Sequence, residues 1–166
     1  TQRAIALFQD LILSHYRNHG RDLPWRRTTD PYRIIVSEIM LQQTQVERVA
    51  GKYREFLNRF PDFASLARAP KSEILLAWQG MGYNRRAIAL QKTAQRVVEE
   101  YGGRLPADVE TLATFPGIGK ATAAAICAYA FNMPVVYIET NIRRVFIHFF
   151  FPEKEGVRDD EILPVV

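Results

Sequence analysis

Two carboxylates and one glycine pair carry the chemistry that residue type and spacing can suggest. Glu38 stands among Ile34, Ile35, Ile39 and Leu41. A carboxyl on so apolar a helix is partly desolvated, and desolvation raises its pKa toward values at which it can donate a proton. A solvated or salt-bridged glutamate is the ordinary alternative. Glu139 follows the apolar run Val135-Val136-Tyr137-Ile138 and stands where a new helix begins, so it reads first as an N-cap or a first-turn charge. In the stretch Leu112 to Ala123, a short helix stops at Pro116, Gly117 and Gly119 allow a tight turn, and a second helix starts at once. Both glycines permit positive φ and leave no side chain in the way of a phosphate. Backbone N–H groups at the new helix start then face an anion, and Lys120 adds a charge. An ordinary turn between two helices needs the same glycines, so spacing alone leaves both readings open.

The elements that must position these groups are helical. Ile5, Phe8, Ile12 and Tyr16 step by three and four along an N-terminal helix that ends near Gly20. Asp30-Pro31 is an N-cap followed by proline at the first helical position, and the helix it opens carries Glu38. Val46, Val49, Tyr53, Phe56, Leu57 and Phe60 mark the next apolar face, closed by Pro61. A helix over Lys71–Trp78 precedes Gly80-Met81-Gly82. Another, from about Asn84 to Tyr101, turns Ala87, Leu90, Ala94, Val97 and Val98 inward and stops at Gly102-Gly103. Period-two alternation is absent, which leaves Val135–Ile138 as the one plausible strand. The fold class is all-α. Asp159-Asp160-Glu161 reads as a helix start with few residues after it, so the natural protein is expected to continue.

Composition narrows the class. At 166 residues the chain suits one domain or two small lobes, with a charge of +4 that is compatible with a nucleic-acid partner. The single cysteine, Cys127, lies in an alanine-rich run that reads as buried helix, and one thiol cannot build a disulfide, a four-cysteine zinc site or an iron–sulfur cluster. No apolar run has signal-peptide form or membrane length. The expectation is an intracellular protein, in the cytoplasm or nucleoid if prokaryotic, with no membrane association.

A second set of motifs decides between the open readings. Leu23-Pro24-Trp25-Arg26, then Asp30-Pro31-Tyr32 and Ser37 through Val46, resembles the N-terminal signature of the A/G-specific adenine DNA glycosylases, in the helix-hairpin-helix glycosylase superfamily. Gly80-Met81-Gly82-Tyr83 with Arg85-Arg86-Ala87 resembles that family's next motif, and Pro116 to Gly119 its hairpin. Ile138-Glu139-Thr140-Asn141 and the residues after it resemble a fourth. The motifs fall in the family's order across roughly residues 22 to 148.

The resemblance implies two helical lobes flanking a DNA-binding cleft. Residues 21–133 would form the lobe with the hairpin at about 111–125, and residues 1–20 plus 134–166 the second lobe, truncated at its C-terminus. It implies hydrolysis of the N-glycosidic bond of adenine mispaired with guanine or 8-oxoguanine, with Glu38 as acid. Glu139 becomes the second carboxylate, steadied by Asn141. Gln42, Gln43 and Tyr83 fall where the family wedges the duplex open, Gly117, Gly119 and Lys120 where it grips phosphates, and Trp25 and Arg26 near the base pocket, with a plain core aromatic the equal alternative for Trp25. The partner would be double-stranded DNA with a mismatched or damaged pair, bound by a monomer.

This sequence departs from the family pattern in several places. Glutamate at 139 replaces the usual aspartate, threonine at 140 the usual glycine, and alanine at 121 a tyrosine or serine. Bifunctional relatives of the endonuclease III type have lysine at that last position. No metal site or cofactor is expected within the chain, and a [4Fe-4S] cluster only if further C-terminal residues supply its cysteines. Two other readings remain: a thymine or uracil mismatch glycosylase of the same fold, and a catalytically inactive DNA-binding module. A helical protein-interaction domain is disfavoured by Gly117 and Gly119.

Overall fold

The computed structural model describes residues 2–166. In chain order the helices are α1 (Gln2–His19), α2 (Pro31–Leu41), α3 (Val46–Arg59), α4 (Phe63–Arg68), α5 (Lys71–Ala77), α6 (Arg85–Tyr101), α7 (Val109–Ala113), α8 (Lys120–Phe131), α9 (Thr140–Phe150) and α10 (Asp159–Ile162). Short 3₁₀ turns occupy Pro24–Arg27 and Leu163–Val165. The protein is all-α, and the chain divides into two compact units, Pro24–Tyr137 and Thr1–Leu23 with Ile138–Val166.

The larger unit is built round α2. Tyr32, Ile34, Ile35, Val36, Ser37, Ile39 and Met40 are all buried, so this helix is apolar on nearly every side and must sit inside other helices. It packs against α3, α6 and α8. Asp30 starts it, accepting a hydrogen bond from the Arg33 N–H at 2.9 Å. The α3 stripe buries Val49, Tyr53 and Phe56, with Phe60 buried just beyond. Gly102, in the left-handed region at φ +60°, ends α6, and the Gly103 N–H returns to the Val97 carbonyl at 2.9 Å. Burial pushes the Tyr53 hydroxyl up to about 12 and raises that of Tyr32 as well. Their hydroxyls donate to the carbonyls of Arg33 and Phe60 at 3.0 and 2.6 Å.

The smaller unit has a different economy. Phe8 of α1 meets Phe146, Phe149 and Phe150 of α9 with ring centroids 5.0–5.2 Å apart. Arg143 ties α9 to α10 by donating to the Asp159 carboxylate and the Val157 carbonyl.

Two sequence expectations require correction, the strand at 135–138 and the inward Val98. Val135–Ile138 is not a strand, and no strand occurs among the described residues. With helices all around, it has no edge to pair with, and the Val135 N–H closes locally on the Met133 carbonyl at 2.9 Å. The helix expected at the N-terminus is present as α1, with Ile12 and Tyr16 exposed and no α1 residue buried. A pair of helices meeting through one aromatic seam covers only a narrow stripe of each. Val98 is exposed too, one position past the buried stripe of α6. Finally, Gly119 is extended (φ −87°) and serves as the N-cap of α8, so only Gly117 (φ +76°) needs the left-handed region.

The two hairpin glycines should therefore respond differently to substitution. A Cβ on Gly117 would lie 3.0 Å from the Ala89 Cβ, whereas one on Gly119 meets nothing within 4 Å. In urea denaturation, Gly117→Ala is expected to lose about 1–2 kcal/mol of stability. Gly119→Ser, which can still cap, should stay within about 0.5 kcal/mol of the parent. Equal losses would contradict this assignment of backbone geometry.

Candidate functional site

In the larger unit the site starts at the C-terminal end of α2. Glu38 is half-buried there, beside the buried Ser37, whose hydroxyl donates to the Ile34 carbonyl at 2.8 Å. After Leu41 the chain turns sharply: Gln42 ends the helix and Gln43 adopts φ +54°. The Gln42 side-chain amide donates to the Gly117 carbonyl at 3.1 Å, joining this turn to the hairpin.

A second turn faces the first. Gly80 and Gly82 take positive φ, and so does Tyr83 at +48°. Trp78 is fully buried and its indole N–H donates to the Gly82 carbonyl at 3.0 Å, which locks the turn from beneath. Tyr83 is left 56% exposed, above the guanidinium groups of Arg85 and Arg86 at 5.9 and 5.5 Å from its ring centre. Gln42, Gln43, Tyr83, Arg85, Arg86 and Gly117 line one groove of about 600 Å³. Non-glycine residues at positive φ are costly and concentrate at functional sites, so two in one groove mark it.

The hairpin forms the other wall. Phe115 and Ile118 are buried, and the Arg96 guanidinium lies 4.4 Å from the Phe115 ring centre while donating to the Thr114 carbonyl at 3.2 Å. The Thr93 hydroxyl donates to the Pro116 carbonyl at 3.3 Å. No side chain caps α8 at Gly119, so the helix start presents backbone N–H groups. Lys120 beside them has a side chain 81% exposed, with its ammonium 3.9 Å from Glu110.

The smaller unit holds the other carboxylate. Glu139 is the N-cap of α9, its Oε1 accepting the Ile142 N–H at 2.8 Å. The Asn141 side chain donates to Oε2 at 3.4 Å. Both residues rim an apolar groove of about 600 Å³ between α1 and α9, floored by Phe8, Ile12, Ile142 and Phe146.

The structure thus brings Gln42, Gln43, Tyr83 and Gly117 together, with Lys120 on the adjoining helix, and pairs Glu139 with Asn141. Trp25 belongs to the core, 8% exposed and edge-to-face with Tyr53 at 5.4 Å, while Arg26 beside it is exposed. Cys127 is buried in α8, and burial pushes its thiol up. An iron–sulfur cluster is held by cysteine thiolates, up to four of them. With one cysteine, and no group of three or more His, Cys, Asp or Glu among the described residues able to hold a metal, the residues present do not fit one.

One residue of the site was missed in the sequence. Arg86 is only 7% exposed, and its guanidinium reaches the carbonyls of Ile39 and Met40 at 3.2 and 3.1 Å and that of Gln42 more closely still. On its other side it donates to the Thr44 hydroxyl and the carbonyls of Met81 and Gly82 at 3.0–3.2 Å. Its signal was present: position 86 steps by four and three into Leu90, Thr93 and Val97, the buried stripe of α6. A charged residue in such a stripe must have partners.

Residues 36–161 match the family model of the HhH-GPD superfamily base excision DNA repair protein. The chain is 44% identical over 135 residues to the adenine DNA glycosylase of Mycolicibacterium smegmatis, covering 81% of this chain and 46% of that protein. Its identity to the Homo sapiens adenine DNA glycosylase is 39% over 150 residues, covering 85% and 28%. The chain therefore spans less than half the length of these curated relatives. Among solved structures, a thermostable thymine-DNA glycosylase is 35% identical with a TM-score of 0.83, covering 88% of this chain and 68% of that one. A trapped endonuclease III–DNA covalent intermediate shares the fold, with a TM-score of 0.80 at 21% identity. On the family match over residues 36–161, the chain belongs to the HhH-GPD superfamily of base excision DNA repair proteins.

Proposed function

We propose that this chain is a DNA N-glycosylase that releases adenine mispaired with guanine or 8-oxoguanine. The observation that carries the reading is the groove of the larger unit, where two glutamines and an exposed tyrosine stand against a glycine hairpin that can take a phosphate. A base inside a duplex is out of reach, so it must be extruded and the gap filled. The amides of Gln42 and Gln43 suit base edges, the Tyr83 ring suits stacking, and the hairpin N–H groups with Lys120 suit the backbone. Identity to adenine glycosylases of two organisms supports the choice of base.

The chemistry follows from the leaving group. Adenine departs poorly as an anion, so Glu38 donates a proton to the base as the bond between C1′ and N9 breaks. The sugar acquires oxocarbenium character, water adds to C1′, and its surplus proton passes to solvent. Glu139 is assigned the stabilisation of that positive charge, in the two-carboxylate manner of glycoside hydrolysis. Its hydrogen bond to the α9 N-terminus and the Asn141 amide fix where the carboxylate points. Capping and catalysis are compatible in one residue.

A second reading rests on the 35% identity to a thymine-DNA glycosylase, of which the chain covers 68%. The two are separated by duplexes carrying adenine opposite guanine or 8-oxoguanine, thymine opposite guanine, and uracil opposite guanine, scored for released base. Release of adenine alone is expected. Release of thymine or uracil instead establishes the second reading, and tight binding without any release marks an inactive DNA-binding module.

Three outcomes test the residue assignments. Glu38→Gln is expected to bind mismatched duplex as the parent does and to excise on the order of 10²–10⁴-fold more slowly in single turnover. A near-normal rate in a folded variant would take Glu38 out of the mechanism. Lys120→Ala should flatten the dependence of log affinity on log salt by roughly one unit, for matched and mismatched duplexes alike. An unchanged slope and affinity would place the DNA elsewhere.

The third concerns strand cleavage. A coupled lyase needs an amine to attack C1′, and Ala121 offers none, while Lys120 projects about 100° round the helix from it. Borohydride should therefore trap no covalent adduct during excision. A strong adduct that vanishes in Lys120→Ala would show a bifunctional enzyme.

A further inference from the structure

We propose that Arg86 is the positioning residue of this groove, holding Gln43 and Tyr83 in the left-handed backbone conformations from which their side chains enter it. The inference rests on the reading of the groove as the duplex-facing surface. The guanidinium lies between two turns that are about 40 residues apart in the chain, and each turn contains one non-glycine residue at positive φ: Gln43 at +54° and Tyr83 at +48°. Its two terminal nitrogens divide the work. Nη1 takes the carbonyls of Ile39, Met40 and Gln42, the last acceptors of α2 and the one immediately before Gln43. Nη2 takes Met81 and Gly82, immediately before Tyr83, and the Thr44 hydroxyl, immediately after Gln43.

Each left-handed residue is thus gripped at the peptide beside it. A left-handed conformation is costly for a residue with a Cβ and persists only where the surroundings over-determine it. Here one planar fork is the group that reaches both turns, and at the second it shares the Gly82 carbonyl with the Trp78 indole N–H. The same group lies 5.5 Å from the ring centres of Trp78 and Tyr83, so it also supports the aromatic side chain from below.

Arginine is a demanding choice for this place. Burial disfavours its charge, and its Nε is buried with no hydrogen-bond partner. A helix end needs only a donor or two, which a glycine turn or a hydroxyl supplies at less desolvation. What a smaller donor cannot do is reach both turns at once with fixed geometry. The conserved charge of a lysine would not do so either, because its ammonium is a point without a fork.

The test compares the whole chain with its Arg86→Lys and Arg86→Gln variants. Backbone Cα and Cβ chemical shifts of Gln43 and Tyr83 report their φ without requiring activity, and fluorescence of 2-aminopurine at the target position reports base extrusion. In a folded variant, both residues are expected to leave the left-handed region and the fluorescence rise on binding to be lost. Excision should slow on the order of 10²-fold. Parent-like shifts with excision within twofold would overturn the proposal. So would failure of both variants to fold, since Arg86 would then support the whole unit rather than the groove. If the parent itself extrudes no base from any duplex, the functional reading fails, and the chemical shifts still decide the role of Arg86.

Discussion

A helix that is apolar on nearly every side can hand few of its terminal backbone groups to water, and α2 is such a helix. Its interior residues are buried almost without interruption, so its ends need partners from within the protein. Asp30 supplies the acceptor at the start. At the far end, the last carbonyls converge on a guanidinium from α6 that is itself taken out of solvent. The rest of the larger unit follows from this. Because α6 must bring Arg86 under the end of α2, the glycine turn before it is carried to the same place, with the hairpin beside it. The groove is what lies above that junction.

The helices were legible in the sequence wherever their punctuation was local. Asp30-Pro31 and Gly102-Gly103 mark ends through the backbone chemistry of the residues themselves, and the structure places α2 and α6 there. The apolar step of α1 also predicted a helix. It could not show whether that face meets a partner, because periodicity encodes a helix and says nothing of its neighbours. Val135–Ile138 failed for a related reason: β-branched residues favour a strand, but a strand exists only with another to pair with. Gly119 shows the same limit, since two identical residues two positions apart take opposite conformations and only the path of the chain distinguishes them.

At the site, chemistry-bearing side chains were easier to find than the residue that arranges them. Glu38, Gln42, Gln43 and Tyr83 announce themselves by type within recognisable motifs. Trp25 belongs to the same signature, yet it packs on Tyr53 as a core aromatic. Arg86 stands in the motif beside Arg85, and nothing in the type distinguishes the two. Only the spacing to Leu90, Thr93 and Val97 separates the buried arginine from the exposed one. All its hydrogen-bond partners but the Thr44 hydroxyl are backbone carbonyls, which every residue has, so a pairing of side-chain types reveals little of its role.

The lone thiol has a practical consequence. Cys127 lies in the middle of α8, which packs on α2, and burial keeps it in the unreactive neutral form. A thiol reagent can therefore modify it only when the larger unit opens. Since the chain has no second cysteine, its labelling carries one signal: the frequency with which the helix behind the hairpin comes away from the core. The protein has its own clock for that event, read by adding a dye.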